Sequence, residues 1–416
     1  MRARIIRYAV ILVLILSITL IIAQPPRVLP VLAPNQAGRL ERMGGVYLVY
    51  LDGDAYEMGL QQGTLLRTEL RDLVEDYLYG RLVLERGAWH FLLLAQARLI
   101  EREVPGDLRR EIQGIADGAG LSYHDVLLLN TIPDLQALTH RLSSWGPFPA
   151  LFAGAKQGTT TPRSTLCTTF AGWGGAILDG ELIVGHSLDC AESDLLSRYL
   201  LLAVRRPSPG NAFVSLGLMG TVGSWAGMNE ESIAATLSSS PSVDVDSAGQ
   251  VLPFLLRQVL QSSGDLTEAA NVILSAHRIC GGNVLLGDGK APAAVAIELS
   301  AHRHAMFEAN AEGGLLARTN HFLDSELALA QQELLPAPER AASEARLEHL
   351  QALLEVNRGW IGMDKALAFL SDAGGTMQSV LFDPGKLTMW MAQDDGTAPN
   401  ASYVRLDFAS ALLGRR

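Results

Sequence analysis

The chain has 416 residues, 48% hydrophobic and 19% charged, which describes a globular protein with a sizeable core and excludes an intrinsically disordered chain. Its formal net charge of −11 offers no basic stripe to neutralise phosphates, so nucleic acid is excluded as a partner class. The three cysteines, Cys167, Cys190 and Cys280, are an odd number: one thiol is left over if two pair.

The first 24 residues carry three arginines and then an uncharged, mainly apolar run from Ala9 to Ala23, closed by a Pro pair. That layout is either a secretory signal peptide or an uncleaved N-terminal membrane anchor. Both predict an exported protein, periplasmic or extracellular, held to the membrane through residues 9–23 in the second case. Residues 25–44 read as a Pro-rich linker. "GGVYLVYLDGD" then reads as a strand and a turn. Leu60, Leu65, Leu66, Leu70, Val74 and Leu78 follow at helical spacing, and helical patterning continues through "HFLLLAQARLIEREV". Asp107 is the expected N-cap of the next helix, Gly118–Gly120 its stop, and Ser122 the cap of another. Residues 54–140 are therefore expected to be mainly helical, and residues 141–166, rich in Gly, Pro, Thr and Ser, to form a long loop.

The character changes at Cys167. "CTTFAGWGGAILDGELIVGHSLD" holds two β-prone runs joined by Asp179-Gly180, a hairpin signal. Further strands are expected in "AFVSLGLMGTVGSWAGMNEESIAATLSSS", two helices in "VLPFLLRQVLQSSGDLTEAANVILSAH", and strands in "NVLLGDGKAPAAVAIELS", "HAMFEA" and "LLARTN". Helices are expected over 339–356 and 362–371, then a hairpin turning at Asp383-Pro384-Gly385. Blocks of strands alternating with blocks of helices predict an α+β protein with largely antiparallel sheets.

No G-x-S-x-G elbow, H-E-x-x-H or C-x-x-C spacing occurs, so no metal or cofactor is expected. His302 and His304 read as a solvated surface pair, and "GDGK" after Leu286 as a hairpin turn. Cys167 has two readings from its chemistry. It is an ordinary buried cysteine, or it is a nucleophile, for which a thiol needs a base or a lowered pKa. Cleavage just before it would supply that base: an α-amino group, titrating at about 8, on the same residue.

Several stretches in order along the chain, "GDAYEMGLQQG", "EIQGIADGAGLSYHDVLLLN", "CTTFAGWGGAILDGELIVGHSLD", "GMNEESIAATL", "NVLLGDG" with "AVAIELS", and "RTNHF", together resemble the acyl-coenzyme A:isopenicillin N acyltransferase-like (peptidase C45-like) family. These are N-terminal-nucleophile cysteine hydrolases, related to choloylglycine hydrolase and acid ceramidase. The resemblance spans residues 45–405. It implies a four-layer αββα fold, with residues 45–166 as a mainly helical pro-segment or small chain and 167–416 as the nucleophile-bearing segment. It implies an autocatalytically processed amidohydrolase or acyltransferase acting on a small-molecule acyl amide or acyl thioester, with hydrolysis of lipid or lactone acyl esters, or a non-cleaving binding role, as alternatives.

Carried over by position, the resemblance makes Cys167 the nucleophile and Asp189 the carboxylate that positions amine and thiol. Asn320 becomes an oxyanion or amine-network residue, and Ser343 with Arg346 a more loosely spaced polar pair. Three positions depart from the family pattern. His186, followed by Ser187 in "GHSLD", stands where relatives have Arg-Asn; Ser239 stands where relatives place an oxyanion asparagine; and Leu166 stands in place of glycine. In an exported chain, Cys190 and Cys280 either pair or remain reduced.

Overall fold

The structure, a computed structural model, describes residues 38–43, 45–85, 89–143, 166–190, 193–309, 314–372, 377–392 and 403–413. The apolar run from Ala9 to Ala23 and most of the loop expected over 141–166 lie outside these residues. Among the described residues, no helix is long and apolar enough to cross a membrane.

Strands β1 (Arg39–Met43) and β2 (Val46–Gly53) open the described chain as an antiparallel pair, so the expected 25–44 linker ends sooner than its composition indicates. Helix α1 (Ala55–Leu65) starts at a capping box. The Asp54 side chain accepts from the backbone N–H of Glu57, and the Glu57 carboxylate accepts from that of Asp54. Helical segments 67–73, 74–85 and 89–100 follow, then α2 (Gly106–Ala119) and α3 (Tyr123–Ser143). Helix α2 starts one residue before the expected Asp107 cap, which falls in its first turn, and stops at Gly120, whose φ of 69° is left-handed.

Then come β3 (Thr168–Gly172), β4 (Ile183–Leu188), β5 (Leu200–Pro207), β6 (Phe213–Leu218), β7 (Ala226–Asn229) and β8 (Ile233–Ser239). Helices α4 (Leu252–Ser262) and α5 (Leu266–Ser275) precede β9 (Gly282–Asp288), β10 (Ala293–Leu299), β11 (His304–Glu308) and β12 (Leu315–Arg318). The chain continues through α6 (Ala337–Val356) and α7 (Met363–Asp372) to β13 (Gln378–Asp383), β14 (Thr388–Ala392) and β15 (Tyr403–Asp407). The three expected hairpins form: β3 pairs with β4, β9 with β10 across the GDGK turn, and β13 with β14, all antiparallel.

Two sheets result, in the orders β1-β2-β5-β6-β7-β8-β9-β10-β11 and β12-β3-β4-β13-β14-β15. Among the described residues, every pairing of these strands is antiparallel except β2 with β5, which brings the N-terminal strand into the larger sheet. The sheets pack face to face through β3 against β8 and β9, and the Thr169 and Thr236 hydroxyls meet across this interface at 2.7 Å. Helices α4 and α5 cover the far face of the larger sheet, while α6 and α7 cover the smaller one. Helix, sheet, sheet, helix is the αββα order the resemblance implies. Strand alternation divides the core accordingly. Ala171 and Val184 belong to the cluster between the sheets, while Phe170, Ile183 and Leu381 pack with Leu347, Leu350, Leu354 and Phe369 beneath α6 and α7.

Candidate active site

Cys167 immediately precedes β3, and the Leu166 N–H donates to the Asp189 carbonyl at 3.0 Å, so the β3–β4 ladder runs through the cysteine. Residues 167, 169 and 171 then share one face, that of the Thr169 hydroxyl, turned toward the larger sheet. Cys167 is buried there, 2% exposed. Its backbone N–H donates to Asn320 Oδ1 at 2.9 Å. The same oxygen accepts from Arg346 Nη2 at 2.8 Å, and Asn320 Nδ2 donates to the Ser239 carbonyl at 2.8 Å. Two donors on one side and a carbonyl on the other fix which end of the amide is oxygen.

Arg346 reaches this group from α6. Burial lowers its pKa, and charge on Cys167 and Asp189 raises it, so cation, thiol and carboxylate form one electrostatic cluster. Asp189, 9% exposed, holds its own loop: its Oδ1 accepts from the Cys190 N–H at 2.8 Å. Four expected residues, Cys167, Asp189, Asn320 and Arg346, are thus brought together although they span 180 positions of sequence.

Ser239 and His186 enter differently. Ser239 meets the group through its carbonyl, and alternation along β8 sets its side chain on the opposite face to Thr236. His186 is fully buried on β4, in register with Thr169, with no hydrogen-bond partner for either ring nitrogen among the described residues. Burial pushes its pKa down to about 4, so the ring is neutral near neutral pH. It occupies the position next along the same face from Cys167 without hydrogen-bonding to the cluster.

Cys190 and Cys280 are not bridged. Cys280 Sγ donates to Asp134 Oδ1 at 3.1 Å, and Cys190 Sγ lies 3.5 Å from Met377 Sδ. Burial and the neighbouring carboxylate push the Cys280 thiol well up, which keeps it a thiol. His302 is exposed and lies 2.6 Å from Asp244, in keeping with a surface role. Sequence reasoning passed over Thr319 and His321, which sit inside "RTNHF" and contact Ser343. Their signal was adjacency to Asn320.

The arrangement has a chemical consequence. The nitrogen held by Asn320 belongs to the cysteine itself. Opening the 166–167 peptide bond would turn that N–H into an α-amino group already oriented beside its own thiol.

A sequence model described as "Acyl-coenzyme A:6-aminopenicillanic acid acyl-transferase" matches residues 178–397, more than half of the chain. The matched span contains His186, Asp189, Ser239, Asn320 and Arg346 and begins after Cys167. Among curated proteins, the chain is 30% identical over 278 residues to an uncharacterized protein of Archaeoglobus fulgidus, covering 63% of this chain and 45% of that protein. It is 25% identical over 308 residues to protein dcd1A of Dictyostelium discoideum, covering 65% and 64%. The chain therefore spans about half to two thirds of the length of these relatives. Among solved structures, it is similar to a Caenorhabditis elegans N-acylethanolamine-hydrolyzing acid amidase ortholog, with 17% identity, a TM-score of 0.40, and coverage of 53% of this chain and 93% of that one.

Proposed function

Because the chain belongs to the acyl-coenzyme A:6-aminopenicillanic acid acyl-transferase family, we propose that it is a cysteine amidohydrolase or acyltransferase whose nucleophile, Cys167, becomes N-terminal by autocatalytic cleavage. The observation that carries this reading is the hydrogen bond from the Cys167 backbone nitrogen to Asn320, with Arg346 on the same oxygen. Cys167 lies past the end of the β12–β3 ladder, and the acceptor its buried N–H finds there is a side-chain amide oxygen that also holds an arginine, rather than a strand carbonyl.

The reaction has two phases. In the first, the Cys167 thiol attacks the Leu166 carbonyl, the peptide C–N bond breaks as the thioester forms, and the nitrogen takes up a proton to become the free amine. Water then hydrolyses the thioester, leaving a carboxylate on Leu166 and the free thiol on Cys167. In the second phase the α-amino group takes the thiol proton while sulfur attacks the carbonyl of a small-molecule acyl amide or thioester. The leaving amine or thiol carries that proton away, and water or an acceptor amine takes the acyl group from sulfur. Asn320 and Arg346 orient the amine and offset negative charge as it develops, in a buried site where such charge is poorly screened.

The same reading has the protein exported, on the strength of the arginine-flanked apolar run from Ala9 to Ala23. Denaturing electrophoresis with intact-mass measurement tests the processing step. Wild type is expected to give two fragments divided between residues 166 and 167, and Cys167→Ala a single chain. One uncut band from both proteins would sink the proposal.

A further inference from the structure

Asn320 lies in the six-residue segment 319–324, between β12 and a short helix, Ser325–Gln331. Around Asn320, the backbone polar groups of residues 319–322 are met by three side chains: Asn283 of β9, Gln331 at the end of that short helix, and Ser343 of α6. The Asn320 N–H donates to Ser343 Oγ at 2.9 Å, and the Asn320 carbonyl accepts from Gln331 Nε2 at 2.9 Å. On either side, Asn283 Nδ2 donates to the Thr319 carbonyl at 2.8 Å and to that of His321 at 3.0 Å. Gln331 also accepts from the Phe322 N–H at 3.1 Å.

Asn283 and Gln331 are fully buried, and Ser343 is 1% exposed. Ser343 is held in turn: its hydroxyl lies 2.9 Å from His321 Nδ1 and 3.0 Å from Thr319 Oγ1, and Thr319 Oγ1 donates to the Ser343 carbonyl at 3.0 Å. Buried polar side chains cost free energy unless satisfied. Concentrating three of them on one short segment fixes the path of that segment more tightly than a turn alone would.

We propose that Asn283, Gln331 and Ser343 are positioning residues for Asn320: they set the direction of the amide that holds the Cys167 nitrogen and Arg346, and touch no substrate themselves. The inference rests on the reading of Cys167 as nucleophile, and deepens it by naming what holds the site in register. Small displacements of a catalytic group are costly, on the order of a hundredfold in rate for about 1 Å. Ser343→Ala leaves the Asn320 N–H without its acceptor, while Gln331→Met removes the donor to its carbonyl at similar volume. Ser343→Thr keeps the hydroxyl.

The test is a double-mutant cycle on the full-length protein, read as kcat and KM on a panel of acyl p-nitroanilides and acyl thioesters. Ser343→Ala and Gln331→Met are each expected to lower kcat roughly 10- to 100-fold with KM little changed, and Ser343→Thr to restore most of it. In an Asn320→Ala background the same changes should have almost no further effect on kcat, because the group they position is gone. A purely structural role would lower both backgrounds alike. Equal losses in the two backgrounds, or an unchanged kcat in Ser343→Ala, overturn the proposal. Should Ser343→Ala fail to fold, Gln331→Met carries the same cycle. Full turnover by Cys167→Ala would instead overturn the nucleophile assignment, a failure separable from that of the frame.

Discussion

Asp134 is buried, accepting from Cys280 Sγ at 3.1 Å and from the Leu252 N–H at 3.1 Å, and burial pushes its carboxyl up to about 6. Its folded pKa lies above the unfolded value. The folded state therefore binds the extra proton between about 4 and 6, and stability is lost as pH rises through that window. Held as a carboxylate at neutral pH, it costs on the order of 2–3 kcal/mol. His186 has the opposite sign: its folded pKa of about 4 lies below the unfolded 6.5, so stability is lost as pH falls from 6.5 toward 4. The two effects oppose each other across the same interval. Asp134→Asn is expected to be more stable than its parent at pH 7.5 by roughly 1–3 kcal/mol and to lose more stability on going to pH 5. His186→Leu should show a shallower acid loss than its parent. Urea unfolding at the two pH values, in an uncleaved Cys167→Ala background, reads both. The Asp134–Cys280 pair was illegible in the sequence, since two residues 146 positions apart with no local pattern carry no sign of contact. Cys167, Asp189 and Asn320 were legible because each lies in a short stretch whose neighbours resemble a known site, and Arg346 only through its looser pairing with Ser343.

At the scale of elements, "GDAYEMGLQQG" and "EIQGIADGAG" acquire a physical meaning as two faces of one contact. Helices α1 and α2 approach so closely that a Cβ on Gly59 would lie 2.0 Å from the Glu111 carbonyl oxygen, and one on Gly63 2.3 Å from that of Ile115. From the other side, a Cβ on Gly114 would lie 2.3 Å from the Tyr56 carbonyl oxygen. The glutamate that opens the second stretch, Glu111, is fully buried and pairs with Arg205 of β5 at 3.2 Å and Arg257 of α4 at 3.1 Å. The glycines let the helices close, and the closed pair delivers Glu111 to the two arginines. Gly63→Ala should therefore cost more than its small gain in helix propensity returns. A loss of about 1–3 kcal/mol or more is expected from overpacking against backbone that cannot move aside. Urea unfolding of the Cys167→Ala parent with and without the substitution measures it, and an unchanged midpoint would refute the close-contact account. Periodicity showed where most helices and strands lie. It missed β5, β15, the short helix Ser325–Gln331, and β1, whose five residues RLERM show no apolar alternation. It also missed the parallel pairing of β2 with β5, because partners roughly 150 positions apart leave no mark on local sequence.

For the molecule as a whole, the covalent boundary proposed at Cys167 is not a packing boundary. The segment before it supplies β1 and β2 to the larger sheet, and β2 lies against β5 along seven register pairs from Tyr47–Leu201 to Gly53–Pro207. Its helices reach further in. Gln62 accepts from the Gly220 N–H, Asn130 accepts from that of Val222 while donating to the Gly220 carbonyl, and Asp134 accepts from that of Leu252. The Glu111 carboxylate between Arg205 and Arg257 adds a buried ion triad, and removing one partner from such a site costs about 3–5 kcal/mol. A cut at 166/167 thus leaves two chains sharing one sheet and one core. The expected outcome is a processed protein that elutes as one species on native size exclusion, with both fragments in the peak, and separates only in denaturant. Residues 167–416 expressed alone would expose the β5 edge and leave Arg205 and Arg257 buried without their carboxylate, so they should be insoluble or inactive. Co-expression of the two pieces as separate chains should restore a soluble, active protein. A soluble and active 167–416 fragment on its own would show that the N-terminal segment is dispensable once the thiol is free, and would contradict the shared sheet as the source of stability.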